Sequence, residues 1–173
     1  MKPIKLDIAC GQNKQRGFKG VDIAPGPGVD FVCDLEKFPW KPFEDDSVEE
    51  VYCSHYLEHA PDWMKFMDEV WRICQHGAKA TFLCPYYTSI RAWQDPTHRR
   101  AISEATFLYS DKDWRAANKL DHYPIKCNFK VEKIILFFNP PWDKKTDEAK
   151  QFAQQHYFNV VSDILVELRA VKE

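Results

Sequence analysis

The chain has 173 residues, of which 45% are hydrophobic and 29% are charged, a composition typical of one globular domain large enough to enclose a core. The formal net charge is −2, residues 1–85 carrying 10 basic and 14 acidic side chains and residues 86–173 carrying 14 and 12. Neither half has the basic excess that phosphate contacts require, so the charge argues against a nucleic-acid partner. Without a membrane-length apolar run or a secretion signal, the sequence predicts a cytoplasmic protein.

The first 85 residues predict five strands, each a short apolar run ended by glycine, proline or polar residues. These strands are Ile4–Ala9, Phe18–Ile23, Val29–Cys33, Ser47–Cys53 and Ala78–Cys84. Between the last two, Pro61 and Asp62 are typical of a helix start. An apolar stripe at three- and four-residue steps follows, and it comprises Trp63, Phe66, Met67, Val70, Trp71 and Cys74. Gly77 is predicted to cap the end of this helix.

The second half of the chain is less regular. Residues 86–128 mix polar and aromatic side chains and predict a cover over the substrate, since loops after strands carry specificity. Val131–Phe138 predicts a sixth strand, Asp143–His156 an exposed helix and Phe158–Val171 a final strand. Strands that alternate with crossovers favour an α/β fold. We therefore expect residues 1–173 to form a single domain around a mostly parallel sheet of seven strands with one antiparallel edge strand.

The six cysteines predict no metal site by their spacing. None of them forms a C-x-x-C pair, so a zinc knuckle is disfavoured and buried free thiols in a reducing compartment are the simplest expectation. The cysteines are Cys10, Cys33, Cys53, Cys74, Cys84 and Cys127.

Polar residues follow the predicted strands, and ligands of open α/β sheets bind at the carboxyl ends of strands. Asp22 stands at the end of the second strand, where an acid accepts hydrogen bonds from ribose hydroxyls. The loop after the first strand reads C-G-Q-N-K-Q-R-G and lacks the G-x-G-x-x-G fingerprint that holds a pyrophosphate. The predicted ligand is therefore a nucleoside without a pyrophosphate, and a nicotinamide cofactor is disfavoured.

Four motifs in order resemble those of class I S-adenosylmethionine-dependent methyltransferases. Leu6–Gly11 is similar to motif I, Gly20–Ile23 to the second-strand acid and Cys33–Leu35 to the third-strand acid; Phe43–Val51 with Ser54–His59 resembles the stretch before the fourth helix. The resemblance runs from about residue 4 to about residue 86. It implies a Rossmann-like fold, S-adenosylmethionine as cofactor and S-adenosylhomocysteine as product.

The resemblance also implies a role for each matching residue. The loop backbone faces the methionine part of the cofactor, Asp7 steadies that loop, Asp22 binds the ribose and Asp34 takes the adenine amino group. The residues implied in cofactor binding are Asp7, Ala9, Cys10, Gly11, Asn13, Asp22, Ile23, Asp34, Leu35, Ser54 and His55.

The sequence departs from the family pattern in the first loop. Ala9 replaces the first motif glycine and Asn13 the third, although alanine is small and asparagine tolerates left-handed backbone. Residues 12–18 are also too few for the usual first crossover helix. This shortening predicts a cofactor pocket that is more open on one side or is roofed by another part of the chain.

Candidate catalytic residues are histidines, because imidazole titrates near neutral pH. Asp95–Arg100 resembles a D-P-T-H stretch of some small class I methyltransferases, which makes His98 the first candidate base, ahead of His55 and His59. An Asp-Pro turn in which His98 bonds the backbone is the alternative. The methyl acceptor is predicted to be a small molecule or a sugar.

Two other functions remain open at the level of sequence. Residues 55–59 match H-x-x-E-H, so His55 and His59 would serve a zinc hydrolase, but that motif needs helical spacing and Pro61 follows closely. The altered loop glycines also admit an S-adenosylmethionine-binding module without catalysis.

Overall fold

The computed structural model describes residues 4–172, so residues 1–3 and 173 of the predicted domain lie outside the described residues. The described chain forms one seven-stranded sheet in the order β3-β2-β1-β4-β5-β7-β6. Its strands are β1 (Ile4–Ile8), β2 (Lys19–Asp22), β3 (Val29–Val32), β4 (Val48–Ser54), β5 (Cys74–Pro85), β6 (Phe129–Phe138) and β7 (Val161–Ala170). Strands β1 to β5 pair in parallel, and β7 runs antiparallel to both β5 and β6. The mostly parallel α/β sheet with antiparallel pairing at one edge is thus confirmed.

Helices follow β4, β5 and β6 rather than the first three strands. In the described chain they are α1 (Trp63–Ile73), α2 (Arg91–Gln94), α3 (Glu104–Leu108), α4 (Lys112–Ala117) and α5 (Asp147–His156). The predicted helix over residues 143–156 is interrupted: a 3-10 turn covers Trp142–Lys144, and α5 starts only after Thr146, whose hydroxyl accepts a bond from the Ala149 amide. No helix of residues 4–172 has the length and apolarity to cross a membrane.

Helix α1 begins as its sequence predicts but ends differently. The Asp62 carboxylate accepts a bond of 3.0 Å from the Lys65 amide and caps the first turn. The predicted cap at Gly77 is wrong, because β5 starts directly at Cys74. Gly77 lies inside β5 with φ 78°. Val48 of β4 pairs with Cys74 and Glu50 pairs with Lys79, so β5 has extra residues between these two pairs and bulges at Gly77. Its left-handed backbone supplies a strand bulge instead of a helix end.

The sheet buries one face under helices. The ring of Phe82 in β5 lies 6.4 Å from Phe66 of α1 and 5.9 Å from Phe107 of α3, and all three side chains are buried. On β1 and its neighbours the opposite face carries charge: Lys5 and Lys79 pair with Glu50 at 2.7 and 2.9 Å. The alternation of apolar and polar residues along β1 matches this division.

The region predicted as a substrate cover divides into two parts. Ile102, Phe107 and Cys127 are fully buried and join the main core. Asp68 of α1 fastens the end of this stretch by accepting bonds from the amides of Lys126 and Cys127 at 2.9 and 2.8 Å. Only the first part, which includes α2, lies at the carboxyl edge of the sheet.

A buried ion pair joins α1 to the loop before β4. The Glu69 carboxylate accepts bonds from the Trp40 amide at 2.6 Å and from Arg72 at 2.6 and 3.0 Å. Arg72 also donates to the Phe43 carbonyl and to Asp45. The bond with Glu69 is the largest cause that raises the pKa of the Arg72 guanidinium. Residues 38–46 contain no regular element, and the pair satisfies the Trp40 amide and the Phe43 carbonyl within this stretch.

Replacing Glu69 should destabilise the protein strongly. Glu69→Ala removes the acceptor for the Trp40 amide and leaves Arg72 partly unpaired, which costs about 2–4 kcal/mol of unfolding free energy. Urea unfolding measures this loss, with Glu44→Ala as the matched control, since Glu44 is exposed in the same loop. Equal effects of the two substitutions would contradict the proposed anchoring.

Gly20 in β2 should not tolerate a side chain. A methyl group there would lie 2.2 Å from the Gly28 carbonyl oxygen and 2.7 Å from the Cys10 sulfur. We expect Gly20→Ala to cost about 1–3 kcal/mol by overpacking. Gly26→Ala is the control, because a methyl group at Gly26 has no atom within 4 Å and its φ is not positive. A thermal melt of Gly20→Ala that matches that of Gly26→Ala would disprove the close approach.

Candidate active site

A first depression lies at the carboxyl ends of β1, β2 and β3. It has a volume of about 180 Å³. Its lining consists of Ala9, Asp22, Ile23, Asp34, Leu35, Glu36 and Tyr56. Five of these residues were predicted from the motifs to bind a nucleoside; Glu36 and Tyr56 were not. Strand ends of a parallel sheet meet at one edge, which is why residues far apart in the chain converge here.

The loop after β1 keeps the tight backbone of a glycine motif. Ala9 has φ 56° and Gly11 has φ 52°, so both occupy the left-handed region. The Gly11 amide donates to the Asp22 carboxylate at 2.9 Å and ties the loop to the end of β2. Asn13 is exposed and does not adopt a positive φ. Of the two substituted motif glycines, only Ala9 therefore occupies a backbone conformation that favours glycine.

Asp7 also fixes the loop after β1. Its buried carboxylate accepts a bond of 2.7 Å from the Gln15 amide. Burial raises the pKa of the Asp7 carboxyl, and the bond from Gln15 offsets part of that shift. Cys10 is buried against Gly20, and neither Cys10 nor Ser54 lines the first depression. The loop is thus positioned by backbone bonds to two acids rather than by a helix.

An ion cluster stands where the usual first crossover helix would begin. Asp30 of β3 pairs with Lys14 at 2.7 Å and Lys19 at 2.8 Å and accepts a bond from the Gly20 amide at 2.8 Å. These donors hold the pKa of the Asp30 carboxyl well below its usual range. Residues 9–18 contain turns but no helix, in agreement with the shortness of this crossover. Sequence reasoning missed this cluster, because nothing in the spacing of Lys14 and Asp30 indicates a contact.

Asp34 and Tyr56 complete the first depression. Asp34 pairs with Lys37 at 3.0 Å and accepts a bond from the Glu36 amide at 3.1 Å, and the bond from Lys37 is the main cause that lowers the pKa of the Asp34 carboxyl. The ring of Tyr56 packs against Phe66 of the core at a centroid distance of 5.3 Å. Burial raises the pKa of the Tyr56 hydroxyl, so this hydroxyl stays protonated. The pocket therefore offers carboxylates beside an aromatic and aliphatic wall.

A second depression adjoins the first. His55 lines the second depression, and the next residue in the chain, Tyr56, lines the first. It has a volume of about 210 Å³. Its lining consists of His55, Glu58, His59, Pro85, Arg91, Gln94, Asp95 and His98. All three candidate catalytic histidines meet here, although His98 comes from a different part of the chain.

His98 is placed by the D-P-T-H turn. Asp95 accepts bonds from the Thr97 amide at 2.8 Å and hydroxyl at 2.7 Å. The Nδ1 atom of His98 lies 3.1 Å from the Ala92 carbonyl oxygen, so Nδ1 carries the proton and donates it in this contact. The Nε2 atom points toward Glu58, 3.9 Å from Oε1. The Asp-Pro turn and the bond from His98 to the backbone, which the alternative without a catalytic role predicts, are both present. They leave Nε2 of His98 directed into the second depression.

His55 lies between two carboxylates. It has φ 54° at the end of β4, with Nδ1 3.4 Å from Glu58 Oε1 and Nε2 4.0 Å from Asp163 Oδ1. Asp163 of β7 pairs through its other oxygen with Arg91 of α2 at 2.6 Å. The antiparallel strand β7 therefore contributes an acid to this site.

Glu58 is the functional candidate that sequence reasoning missed. It is 1% exposed, and neither carboxylate oxygen has a hydrogen-bond partner among the described residues. The signal in the sequence was its place in the H-x-x-E-H pattern, of which only His55 and His59 were taken as candidate site residues. Residues 57–59 form a turn rather than a helix, so the H-x-x-E-H pattern lacks the helical spacing of a zinc protease.

Arg100 braces the turn that carries Glu58. Its guanidinium donates to the carbonyl oxygens of Leu57, Ala60 and Pro61. The Arg99 amide adds a bond of 2.8 Å to the Glu58 carbonyl oxygen. These contacts join the Glu58 turn to the D-P-T-H stretch.

Comparison with known proteins finds a family match over part of the chain. Residues 7–82 match the model of a family described as "Methyltransferase domain". The resemblance inferred from the four motifs is thereby confirmed, and the match indicates S-adenosylmethionine as the cofactor. No curated protein matches the sequence.

Solved structures of methyltransferases share the fold. A SAM-dependent methyltransferase from Archaeoglobus fulgidus is 16% identical with a TM-score of 0.62 over 97% of this chain and 86% of that one. The complex of the Haloferax volcanii Trm112 methyltransferase activator with a methyltransferase matches at 17% identity, with a TM-score of 0.59 and coverage of 99% and 84%. The [4+2]-cyclase SpnF matches at 12% identity, with a TM-score of 0.62 and coverage of 99% and 76%. At these identities the comparison shows a common fold.

Proposed function

We propose that this chain, whose residues 7–82 form part of a methyltransferase domain, transfers a methyl group from S-adenosylmethionine to a hydroxyl group of a small molecule or sugar. The observation that carries the proposal is the pair of adjoining depressions at one sheet edge. One is lined by the residues predicted to bind a nucleoside, and the other gathers three imidazoles around a buried carboxylate.

The first depression suits the nucleoside part of the cofactor. Asp22 faces it from the end of β2 and is the acceptor for the ribose hydroxyls. Ile23 and Leu35 provide apolar surface for the adenine ring, and Asp34 provides an acceptor for its amino group. Ala9, at the turn, brings backbone close to the methionine part. When bound, S-adenosylmethionine supplies an electrophilic methyl carbon and leaves as S-adenosylhomocysteine.

The second depression suits an acceptor that must lose a proton. Nδ1 of His98 donates a hydrogen bond to the Ala92 carbonyl oxygen, so the tautomer that carries its proton on Nδ1 is favoured. This tautomer keeps a lone pair on Nε2. A base directed into the pocket takes the proton from a hydroxyl as it attacks. Pro85 and the stem of Arg91 form walls that orient the acceptor, and orientation is the main requirement of a direct displacement.

Cofactor binding is tested by thermal unfolding with S-adenosylmethionine, S-adenosylhomocysteine or NAD. A ligand at 100 times its dissociation constant adds about 2.7 kcal/mol of stability. We expect a clear shift with the first two ligands, no shift with NAD, and loss of the shift in Asp22→Ala. Asp121→Ala, an exposed acid elsewhere, should keep it. Absence of any shift in the unaltered protein would refute the proposed cofactor.

The role of His98 is tested by turnover. With a panel of hydroxyl acceptors, His98→Ala should lower the rate of S-adenosylhomocysteine formation about 10²- to 10⁴-fold while the thermal shift with the product stays unchanged. His122→Ala removes an exposed histidine and serves as the control. Unchanged turnover in His98→Ala would exclude it as the group that handles the acceptor proton. Binding without turnover on any acceptor would favour the non-catalytic module instead.

A further inference from the structure

The buried Glu58 carboxylate has two imidazoles near it, and neither donates a hydrogen bond to it. Its nearest recorded nitrogens are His55 Nδ1 at 3.4 Å and His98 Nε2 at 3.9 Å, and its oxygens accept no hydrogen bond among residues 4–172. Removing a carboxylate from water without a partner is costly. Arg91 does not relieve this cost, because it pairs with Asp163. A cation between Glu58 and the imidazoles would satisfy the site.

Three side chains converge with the geometry of metal ligands. One ligand atom each of Glu58, His59 and His98 lies within 4.8 Å of the others. Two donors at about 2.1 Å from one ion lie at most about 4.2 Å apart, so the 3.9 Å between Glu58 and His98 already fits and the remaining contraction is small. The rings of His59 and His98 meet edge to face with centroids 4.6 Å apart.

Hydrogen bonds prepare both imidazoles to act as ligands. The Ala92 carbonyl holds the proton of His98 on Nδ1 and leaves the lone pair on Nε2. The Thr97 hydroxyl donates its proton to Asp95 at 2.7 Å, so at its 3.0 Å contact with His59 Nδ1 the oxygen accepts. His59 therefore also keeps its lone pair on Nε2. Such outer bonds to a carbonyl and, through a hydroxyl, to a carboxylate are typical of histidines that bind metal.

We propose that Glu58, His59 and His98 bind a divalent transition-metal ion on the acceptor side of the cofactor pocket. Two imidazoles and one carboxylate favour first-row transition metals over magnesium, which prefers oxygen ligands. The three ligands come from the turn after β4 and the D-P-T-H turn, and they leave coordination positions open toward the second depression. His55, paired with His59 in the sequence pattern, does not belong to this group of three.

The ion gives the site a specific task, which rests on the methyltransferase function proposed above. An acceptor hydroxyl that occupies an open position of the ion loses its proton to water more readily, as bound water does. Its oxygen then forms a bond to the methyl carbon while the bond from that carbon to sulfur breaks and the sulfur keeps the electron pair. With an ion present, His98 acts as a ligand and the ion replaces it in activating the hydroxyl. The acceptor class is then an alcohol or diol that coordinates a metal.

Cobalt(II) tests the site without reference to activity. The full chain, stripped with EDTA and dialysed, is titrated with CoCl₂ while visible absorption is recorded. We expect one equivalent of Co²⁺ to change the spectrum from that of the hydrated ion. Glu58→Gln and His59→Ala should weaken binding at least tenfold. His122→Ala, which removes an exposed histidine, should bind like the unaltered protein.

Thermal unfolding supplies a second readout, because it compares the melting temperature of each variant with and without metal. Glu58→Gln keeps the shape of the side chain, so without metal it should melt close to the unaltered protein. With Zn²⁺ or Co²⁺ only the unaltered protein and His122→Ala should be stabilised, and Mg²⁺ should stabilise none of them. No cobalt spectrum, or equal binding by Glu58→Gln and His122→Ala, would overturn the metal site. A normal S-adenosylhomocysteine shift in the same samples would leave the proposed cofactor function intact.

Thr97 separates a positioned ligand from incidental binding. Thr97→Val keeps the shape but removes the acceptor that orients His59, and it should weaken Co²⁺ binding about 10- to 100-fold. Thr97→Ser retains the hydroxyl and should bind normally. Indistinguishable affinities for these two variants would contradict the orientation of His59 described above.

Discussion

The parallel pairing of β1 with β4, and of β4 with β5, is the constraint on which the rest of the molecule depends. Ile8 pairs with Cys53 and Cys53 pairs with Phe82, so the three central strands end at nearly the same level. Whatever follows each strand is therefore delivered to one edge of the sheet. The loop after β1 and the histidine-bearing turn after β4 are neighbours for this reason, although no local sequence pattern specifies it.

The short crossovers of the first half change how that edge is built. In a fold of this type a helix usually follows the first strand and fixes the loop at its start. Here, in the part of the chain that the structure describes, that loop is held by Asp7 through the Gln15 amide and by Asp22 through the Gly11 amide. Lys14, paired with Asp30, closes the outer side. A few charged contacts thus hold the loop beside the first depression where a helix would otherwise do so.

The acceptor side follows a different physical logic. The buried Glu58 carboxyl group accepts no hydrogen bond from the described residues, an arrangement that is costly unless a ligand or a nearby charge compensates for it. Hydrogen bonds that the imidazoles donate to the Thr97 hydroxyl oxygen and to the Ala92 carbonyl oxygen orient the rings so that their free nitrogens face the same space. A proton-accepting pocket and a metal-binding pocket share this arrangement, and they differ in whether the lone pair of His98 takes a proton or an ion.

Local patterns were sufficient to predict the sheet and much of the lining of the first depression from the sequence alone. Alternating strands, their polar ends and four ordered motifs predicted seven strands and the lining residues Ala9, Asp22 and Asp34, because these features depend on neighbours in the chain. Boundaries that depend on distant partners were predicted less well. Gly77 was expected to end a helix, whereas the pairing of β5 with β4 draws the residues after Ile73 directly into a strand.

The tertiary structure alone decided which histidines meet and what they surround. His98 is separated from Glu58 by 40 positions, and their approach requires the β4 turn, α2 and the D-P-T-H turn to pack together. Asp163 arrives from a strand whose place beside β5 no local pattern specifies. The sequence by itself determined the fold class and most residues that line the first depression, since strand periodicity and turn chemistry are local. The burial and pairing of charges at the acceptor side were decided only by the folded chain, because burial depends on contacts between segments that are remote in sequence.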